Sequence, residues 1–405
     1  MTKHWTLILT GCFALIWCVH RAQAQSITFD EANTFFAFVV GDGPWSPNSN
    51  NHVLNSILIR LFVKLFGVSQ LSVRAPALLG GALYIFAAYR ICTLLACELA
   101  LTWPLFVCFV YNPFVMDYLV AARGYGLAIG FLSLSLYLIA RMLFAWDGAS
   151  ERKILKTAVA ASVAGALSFC ANFSFAYVNG ALIAVLFVWA GTRWRKKGLL
   201  ASAGLALACI LPGILVALVL TGPMLAKFPR SELFWGAHSL SEMWSYIYHA
   251  SFPALDSALV NHGITGALQK LAPSIVVGAA GTALLYLVFL FLGRGLRDCI
   301  RSPRLRVVAS VSAMLGVTLL AHWLQFRLLK IPWPLDRTSL FIVPLLTIIV
   351  GCIFSTIPVN LMERTLRWLG SGILFIAATY FVGSLRDSYF QEWKFYGADV
   401  KAAFP

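Results

Sequence analysis

Long apolar runs that contain no charged residue recur along the chain, and they restrict its fold more than any other feature. A helix needs about 20 apolar residues to cross the hydrocarbon core of a bilayer, which is about 30 Å thick. The backbone in hydrocarbon must form its hydrogen bonds within its own segment, so these runs predict helices. Seven runs of suitable length contain no Asp, Glu, Lys or Arg: Leu99–Met116, Gly124–Ala140, Gly198–Ala226, Leu271–Gly293, Val307–Phe326, Thr338–Met362 and Trp368–Leu385.

Four more spans complete the prediction. Trp5–His20 is the first span, and Ala75–Ala96 is the second, with Arg90 close to its end. The run Thr157–Thr192 is too long for one helix and predicts two helices joined near Asn172. The predicted fold class is all-α, a polytopic membrane protein with about 11 transmembrane helices and with interfacial helices in its first outside loop.

Lys and Arg outnumber Asp and Glu by 31 to 16, which gives a formal net charge of +15. A basic chain often binds nucleic acid. Here 60% of the residues are hydrophobic and only 12% are charged, too few to cover a water-facing surface. The sequence therefore predicts membrane lipids, and no nucleic acid, as its surroundings. Many positive residues lie in short connections on one predicted side of the membrane: Arg152, Lys153, Lys156, Arg193, Arg195, Lys196, Lys197, Arg294, Arg297, Arg301, Arg304, Arg306, Arg364 and Arg367.

Short loops rich in Lys and Arg stay on the cytoplasmic side of a membrane. The predicted topology is a multi-pass protein of the plasma (inner) membrane, with its N-terminus in the cytoplasm and its C-terminus outside. Residues 1–405 are expected to form a single membrane-embedded domain. Large outside loops are predicted at 25–74 and 222–270, and no separate soluble C-terminal domain is expected.

The first apolar segment has a second interpretation. Lys3, the apolar residues 7–19 and Ala22-Gln23-Ala24 also resemble a secretory signal with its cleavage site. A cleaved signal would deliver the following loop to the same side, so both interpretations place residues 25–74 outside.

Polar residues collect in this first outside loop. Thr28-x-x-Glu31 matches a helix capping box, so Glu31 has a structural explanation. Asp30 would then lie in the first turn of that helix, where the helix dipole favours an anion. Apolar residues from Val53 to Phe66 recur at helical spacing, which predicts an amphipathic helix lying in the headgroup plane.

Two arginines lie at predicted outside ends of spans. Arg123 opens the fourth span and Arg337 opens the tenth. Ionisable residues at a membrane boundary are functional candidates, and the planar guanidinium group binds phosphate through two parallel hydrogen bonds. The alternative is that each is an interfacial anchor or forms an ion pair, with Asp117 or Asp336 respectively.

Four short motifs in this order resemble the GT-C class of membrane glycosyltransferases, in particular the bacterial branch related to protein O-mannosyltransferases and the lipid A aminoarabinose transferase. Three of them lie between residue 29 and residue 78, and the fourth lies near the fourth span. They are Phe29-Asp30-Glu31-Ala32, Asn51-His52-Val53-Leu54, Leu71-Ser72-Val73-Arg74-Ala75-Pro76-Ala77-Leu78, and Asn112-Pro113 with Ala122-Arg123-Gly124-Tyr125. The prolines that follow the histidine in the family are missing here.

The resemblance implies an inverting transfer of a sugar from a polyprenyl-phosphate donor to an acceptor on the extracytoplasmic face. The acceptor would be a glycolipid, an envelope glycan or a protein. Asp30 would be the general base, and Glu31 would support the acceptor site or remain a helix cap. The residues implied for the donor phosphate are Arg123, Arg337, His52 and Tyr125.

Other functions have weaker support in the sequence. No zinc-protease or nucleotide-hydrolysis motif is present, so no cofactor is predicted, and a divalent metal is left open. In the second loop, Ser239-x-x-Glu242 predicts a helix whose aromatic residues 243–249 anchor it at the interface or cover an acceptor. A secondary transporter or lipid-linked sugar flippase is the main alternative, and a membrane scaffold is the third.

Overall fold

The computed structural model describes residues 2–95, 98–253 and 262–386. Within these ranges the secondary structure is helical and contains no strand, as the sequence predicts, and Ala237 and Trp333 form one isolated antiparallel bridge. The α-helices are α1 (Thr2–Ala24), α2 (Phe29–Asn33), α3 (Val53–Phe66), α4 (Gln70–Leu95), α5 (Leu99–Val110), α6 (Pro113–Tyr118), α7 (Tyr125–Phe144), α8 (Glu151–Ala171), α9 (Ala176–Trp194), α10 (Leu199–Leu225), α11 (Leu240–Ser251), α12 (His262–Arg301), α13 (Pro303–Leu324), α14 (Ile342–Phe354) and α15 (Leu361–Gly383).

In the described part of the chain, 10 helical segments are long and apolar enough to cross a membrane. Three of them include short π-helical or 3-10 turns, at the ends of α9, α13 and α14. The segments are His4–Ala24, Gln70–Leu95, Tyr125–Phe144, Glu151–Ala171, Phe173–Lys197, Leu199–Leu225, Lys270–Gly293, Pro303–Leu329, Asp336–Phe354 and Leu361–Gly383. The chain is a multi-pass membrane protein, and the predicted spans correspond to these segments with one exception.

The exception is the predicted third span, Leu99–Met116, which is not one continuous helix. The chain instead forms α5, of 12 residues, and the short α6. Asn112 separates them because its side chain accepts a hydrogen bond from the Val115 N–H at 3.3 Å, which caps α6. Pro113 follows at the first position of α6, where its missing N–H costs nothing. The Asn112-Pro113 pair therefore starts a new helix.

The turn between α8 and α9 confirms the predicted break near Asn172. Asn172 ends α8 with an extended backbone, and its side-chain oxygen accepts from the Ser174 N–H at 3.0 Å. In the second loop, Ser239 caps α11 by accepting from the Glu242 N–H, as predicted. This loop is shorter than the predicted 222–270, since α10 continues to Leu225; residues 254–261 lie outside the described residues.

Close packing between α4 and α7 positions one end of the bundle. A Cβ atom on Gly80 would lie 2.3 Å from the backbone of Gly126, and one on Gly130 would lie 2.4 Å from the Gly80 carbonyl oxygen. Small residues let membrane helices approach this closely and gain van der Waals contact. Helix α7 is largely buried, so its first residue, Tyr125, has a fixed place beside α4.

Helices α2 and α3 form a platform at this end of the bundle, joined by the π-helical segment Thr34–Gly41 and a loop. Helix α3 buries Val53, Asn55, Ser56 and Ile59 against the bundle. The predicted amphipathic helix is confirmed in extent, and the polar Ser56 is among its buried residues, where its hydroxyl donates to the Asn51 side chain. Three apolar residues near its C-terminus remain exposed in the protein and suit a lipid surface: Leu61, Leu65 and Phe66.

Candidate active site

A cavity of about 390 Å³ opens at the end of the bundle that carries the platform. Its volume lies in the range of small-molecule binding sites. The lining residues belong to connections that the sequence predicts on one side of the membrane, or to the ends of the spans next to those connections. The polar and aromatic lining residues include Asp30, Asn50, His52, Tyr125, Asn172, Phe173, Tyr177, Glu232, Trp235, His322, Trp333 and Arg337.

Asp30 is held at this cavity by the start of α2. Thr28 is the N-cap of this helix, and its hydroxyl oxygen accepts from the Glu31 N–H at 3.3 Å. The Glu31 carboxylate in turn accepts from the Thr28 N–H at 2.9 Å, which completes the predicted capping box. Asp30 therefore lies in the first turn, with its side chain 22% exposed.

Arg337 is the nearest cation to Asp30 in the cavity wall. Its Nη1 atom lies 2.9 Å from Asp30 Oδ2. The predicted pairing with Asp336 is also present, at 3.7 Å. Asp336 has a left-handed backbone (φ 56°), and its carboxylate accepts from the Tyr118 hydroxyl at 2.8 Å. This uncommon conformation, which Asp tolerates better than most residues, turns Arg337 towards Asp30.

Arg123 lies behind Asp30 and does not line the cavity. It is 1% exposed. Its guanidinium group donates to the Thr34 hydroxyl and the Asn50 side-chain oxygen, each at 2.8 Å, and to the Asp30 carbonyl oxygen at 3.3 Å. Its Nη2 atom is 3.8 Å from the Asp30 carboxylate. The alternative partner considered for Arg123, Asp117, instead forms a buried ion pair with Arg21 at 2.7 Å.

Glu31 points away from the cavity into the protein, where it forms a buried ion pair. Arg74 donates to both carboxylate oxygens, at 2.8 and 2.7 Å, and the Ala122 N–H donates to one of them at 2.9 Å. Burial raises the pKa of Glu31, but the Arg74 charge and these hydrogen bonds outweigh it and hold the pKa below its ordinary value of 4.5. Arg74 also donates to the Ala22, Gln25 and Ser26 carbonyl oxygens, which joins α1, α2 and α4.

His52 lines the cavity next to Tyr125. Their rings meet edge to face, with centroids 5.5 Å apart. Neither ring nitrogen of His52 has a hydrogen-bond partner among the described residues. Burial, followed by the charges of Arg123 and Arg337, lowers the pKa of His52 well below its ordinary value of 6.5. His52 is therefore a neutral imidazole, with one nitrogen able to donate and one able to accept.

Gly124 allows these groups to come together. Its φ of 74° is left-handed, and a Cβ atom there would lie 2.3 Å from the Ala171 carbonyl oxygen and 3.0 Å from the His52 Cβ. No larger residue fits this turn without displacing α8 or the platform. Close packing therefore explains the glycine in the Ala122–Tyr125 motif, because it lets the end of α8 contact the platform.

The structure brings four of the predicted site residues to one cavity and places two behind it. Asp30, His52, Tyr125 and Arg337 line the wall, whereas Arg123 and Glu31 support it. Sequence reasoning missed the contributions of Asn172 and His322 to the lining. Both lie within or beside apolar runs, and a polar side chain in such a run is the signal that could have identified them. No cluster of three or more potential metal-ligating side chains occurs in the part of the chain that the structure describes.

The fold resembles two crystal structures of ArnT from Cupriavidus metallidurans. The apo structure has a TM-score of 0.50 and 13% sequence identity, over 87% of this chain and 60% of that chain. The structure bound to undecaprenyl phosphate has a TM-score of 0.49 and 14% identity, over 95% of this chain and 78% of that chain. No family model matches the chain, and no curated protein does.

The similarity to the apo structure confirms the fold that the sequence motifs imply. ArnT is the lipid A aminoarabinose transferase, a GT-C glycosyltransferase. At 13% identity the similarity establishes a shared architecture, and this chain spans 60% of the length of that ArnT chain. The chemistry of this protein therefore depends on the residues of its own cavity.

Proposed function

We propose that this protein is an inverting glycosyltransferase that moves a sugar from a polyprenyl-phosphate donor to an acceptor hydroxyl on the extracytoplasmic face of the membrane. The observation that carries the proposal is the Asp30–Arg337 pair, 2.9 Å apart in the wall of one cavity. The GT-C architecture supports it at the level of fold. The location outside the cytoplasm is supported by the predicted topology, which puts the connections and span ends that line the cavity on the side opposite the dense Lys and Arg clusters.

The pair provides the two groups that such a transfer needs. The Asp30 carboxylate accepts the proton of the acceptor hydroxyl, whose oxygen forms a bond to the anomeric carbon of the sugar. The bond from that carbon to the phosphate oxygen breaks, and its electron pair stays on the departing polyprenyl phosphate. Attack from the side opposite the leaving group inverts the anomeric configuration. Arg337 stabilises the negative charge that grows on the phosphate.

Arg337 has a second effect, because it is shared between two anions. Without a donor it neutralises Asp30 across 2.9 Å. A bound phosphate competes for the same guanidinium group and draws it away from the carboxylate. A donor phosphate that takes up this guanidinium group leaves the Asp30 carboxylate free to accept the proton of the acceptor hydroxyl, which couples donor binding to proton abstraction.

The remaining predicted residues have supporting roles in this proposal. Arg123 holds the backbone of Asp30 and the Asn50 side chain from behind, so it positions the base and adds positive potential near the phosphate. His52, as a neutral imidazole, donates one hydrogen bond to a phosphate oxygen, and Tyr125 fixes its ring. Glu31 acts through Arg74 to hold the platform in place.

The acceptor is a glycolipid, an envelope glycan or a protein that carries a hydroxyl group. Mass analysis of envelope glycolipids and glycans tests the proposal, in cells that lack the gene and carry either the wild type or Asp30→Asn. We expect one sugar to be missing without the gene, restored by the wild type and not by D30N at equal protein levels. The matched control is Asp147→Asn, since Asp147 is 75% exposed, pairs with Arg306 and lies away from the cavity.

Full activity of D30N would refute the assignment of the base. A second measurement separates transfer from transport: vesicles that contain only the purified protein and a labelled polyprenyl-phosphate sugar. Movement of the labelled lipid across the bilayer without formation of a transfer product would identify a flippase instead.

A further inference from the structure

The cavity has a second group of polar side chains that the proposed transfer does not use. Asn172 is fully buried and His322 is 6% exposed, and both line the cavity. The Asn172 Nδ2 atom and both ring nitrogens of His322 are buried and lack a hydrogen-bond partner in the described residues. A buried polar atom without a partner costs stability, and most native proteins contain few of them. Three such atoms, on two side chains that line one cavity, indicate a ligand.

Neighbouring residues fix the positions of both the Asn172 and the His322 side chains. The Asn172 side-chain oxygen accepts from the N–H and the hydroxyl of Ser174, whereas its amide nitrogen has no hydrogen-bond partner among the described residues. The His322 ring meets Tyr177 edge to face at 4.6 Å and stacks on Phe341 at 6.3 Å. Aromatic contacts hold the imidazole, and its two nitrogen atoms have no hydrogen-bond partner in the part of the chain that the structure describes.

The position of this group relative to Arg337 follows from the chain. Phe341, which stacks on His322, comes four residues after Arg337, across a 3-10 turn and the start of α14. Asn172, His322 and Arg337 also line one cavity, so a donor whose phosphate binds Arg337 has its sugar in the same cavity as these polar side chains.

The chemistry of the group suits hydroxyl groups. A neutral imidazole offers one donor and one acceptor, the amide nitrogen offers two donors, and a hydroxyl both donates and accepts. Tyr177 and Trp333 line the same cavity and offer aromatic surface beside these polar atoms. A wall of this kind binds a ring that carries hydroxyl groups, whereas an alkyl chain would leave all three atoms unpaired.

We propose that Asn172 and His322 form a subsite that binds the hydroxyl groups of the donor sugar, in the cavity that also contains the arginine that binds its phosphate. The inference rests on the proposed glycosyl transfer and adds to it the residues that select the sugar. Arg337 binds every polyprenyl phosphate, whereas Asn172 and His322 distinguish a carrier with a sugar from an empty one.

Binding to the full-length protein in lipid nanodiscs tests the subsite. The probes are a short-chain polyprenyl phosphate alone and the same lipid carrying a hexose, a pentose or an N-acetylhexosamine. We expect the wild type to bind at least one sugar-bearing probe more tightly than the bare phosphate. His322→Phe keeps the ring packing. It should lower the affinity for that probe about 10- to 100-fold and leave the affinity for the bare phosphate unchanged.

Two further variants complete the design. Asn172→Asp keeps the oxygen that caps the turn and replaces the free amide nitrogen, so we expect the same selective loss. Thr318→Val is the matched control, since Thr318 is buried one turn before His322 on α13 and its hydroxyl donates to the Met314 carbonyl oxygen of the same helix. This control should bind all four probes as the wild type does.

The outcomes separate the two proposals. Equal binding of every probe by the wild type, or unchanged selectivity in both H322F and N172D, would overturn the subsite. Arg337→Gln should lower the affinity for the bare phosphate and for the sugar-bearing probes to the same extent. If R337Q binds the bare phosphate as the wild type does, the proposed donor site fails, whatever the two subsite variants show.

Discussion

The Asp30 carboxylate lies 2.9 Å from the Arg337 guanidinium group, although the two residues come from α2 and from the turn before α14. Neither residue is fully buried, with side-chain exposures of 22% and 18%, so both remain accessible to a ligand in the cavity. The pair is the meeting point of the platform and the membrane-spanning helices. The proposed function therefore depends on how these two parts pack.

Replacement of Arg337 tests the stabilisation of the leaving phosphate. We expect Arg337→Gln to reduce the rate of transfer by about 10²- to 10³-fold, as loss of one preorganised charge-stabilising group typically does. Initial rates with a purified lipid-linked donor measure the effect. Arg327→Gln is the control, because Arg327 is exposed and lies outside the cavity wall on a neighbouring segment. A rate for R337Q within a few-fold of the wild type would contradict the assignment.

The Glu31–Arg74 pair is expected to stabilise the platform rather than to take part in chemistry. Removing one partner of a buried ion pair typically costs about 3–5 kcal/mol, since the other charge remains buried. Glu31→Gln and Arg74→Met should each lower the thermal unfolding temperature sharply. The double variant should lose less than the sum of the two. Simple additivity in this cycle would show that the two side chains do not interact.

The sequence predicted much of the fold, because hydrophobic span length is a local property. It also predicted the capping box at Thr28 and four residues that line the cavity. It did not predict that Arg74 would join three helices, or that Arg123 would lie behind Asp30, since such pairings depend on how distant segments pack. His322 is a polar residue in an apolar run, which marks it as unusual, but the sequence does not show which distant residues it packs against.

His52 predicts a specific pH dependence of stability. Its pKa is lowered well below 6.5 in the folded protein by burial and by two arginines, so the unfolded chain binds a proton more readily. The resulting loss of folding stability is absent well above pH 6.5. It grows as the pH falls towards the folded pKa, by up to about 1.4 kcal/mol per pH unit. Between pH 7.5 and pH 5, the thermal unfolding temperature should therefore fall less in His52→Gln than in the wild type. The same change at exposed His238 is the control, and identical slopes for wild type and H52Q would contradict the argument.

Gly124 offers a test of the geometry that brings α8 to the platform. Gly124→Ala places a Cβ atom 2.3 Å from the Ala171 carbonyl oxygen and forces a left-handed backbone on alanine. The backbone alone costs about 1–2 kcal/mol, and the steric overlap adds to it. We expect a lower unfolding temperature and loss of sugar transfer, because the overlap moves His52 away from Asn172 and so changes the shape of the cavity. Gly180→Ala is the matched control, since no atom lies within 4 Å of the added carbon in α9, where alanine favours the helix. Equal stability of the two variants would show that the turn at Gly124 can relax without disturbing the cavity.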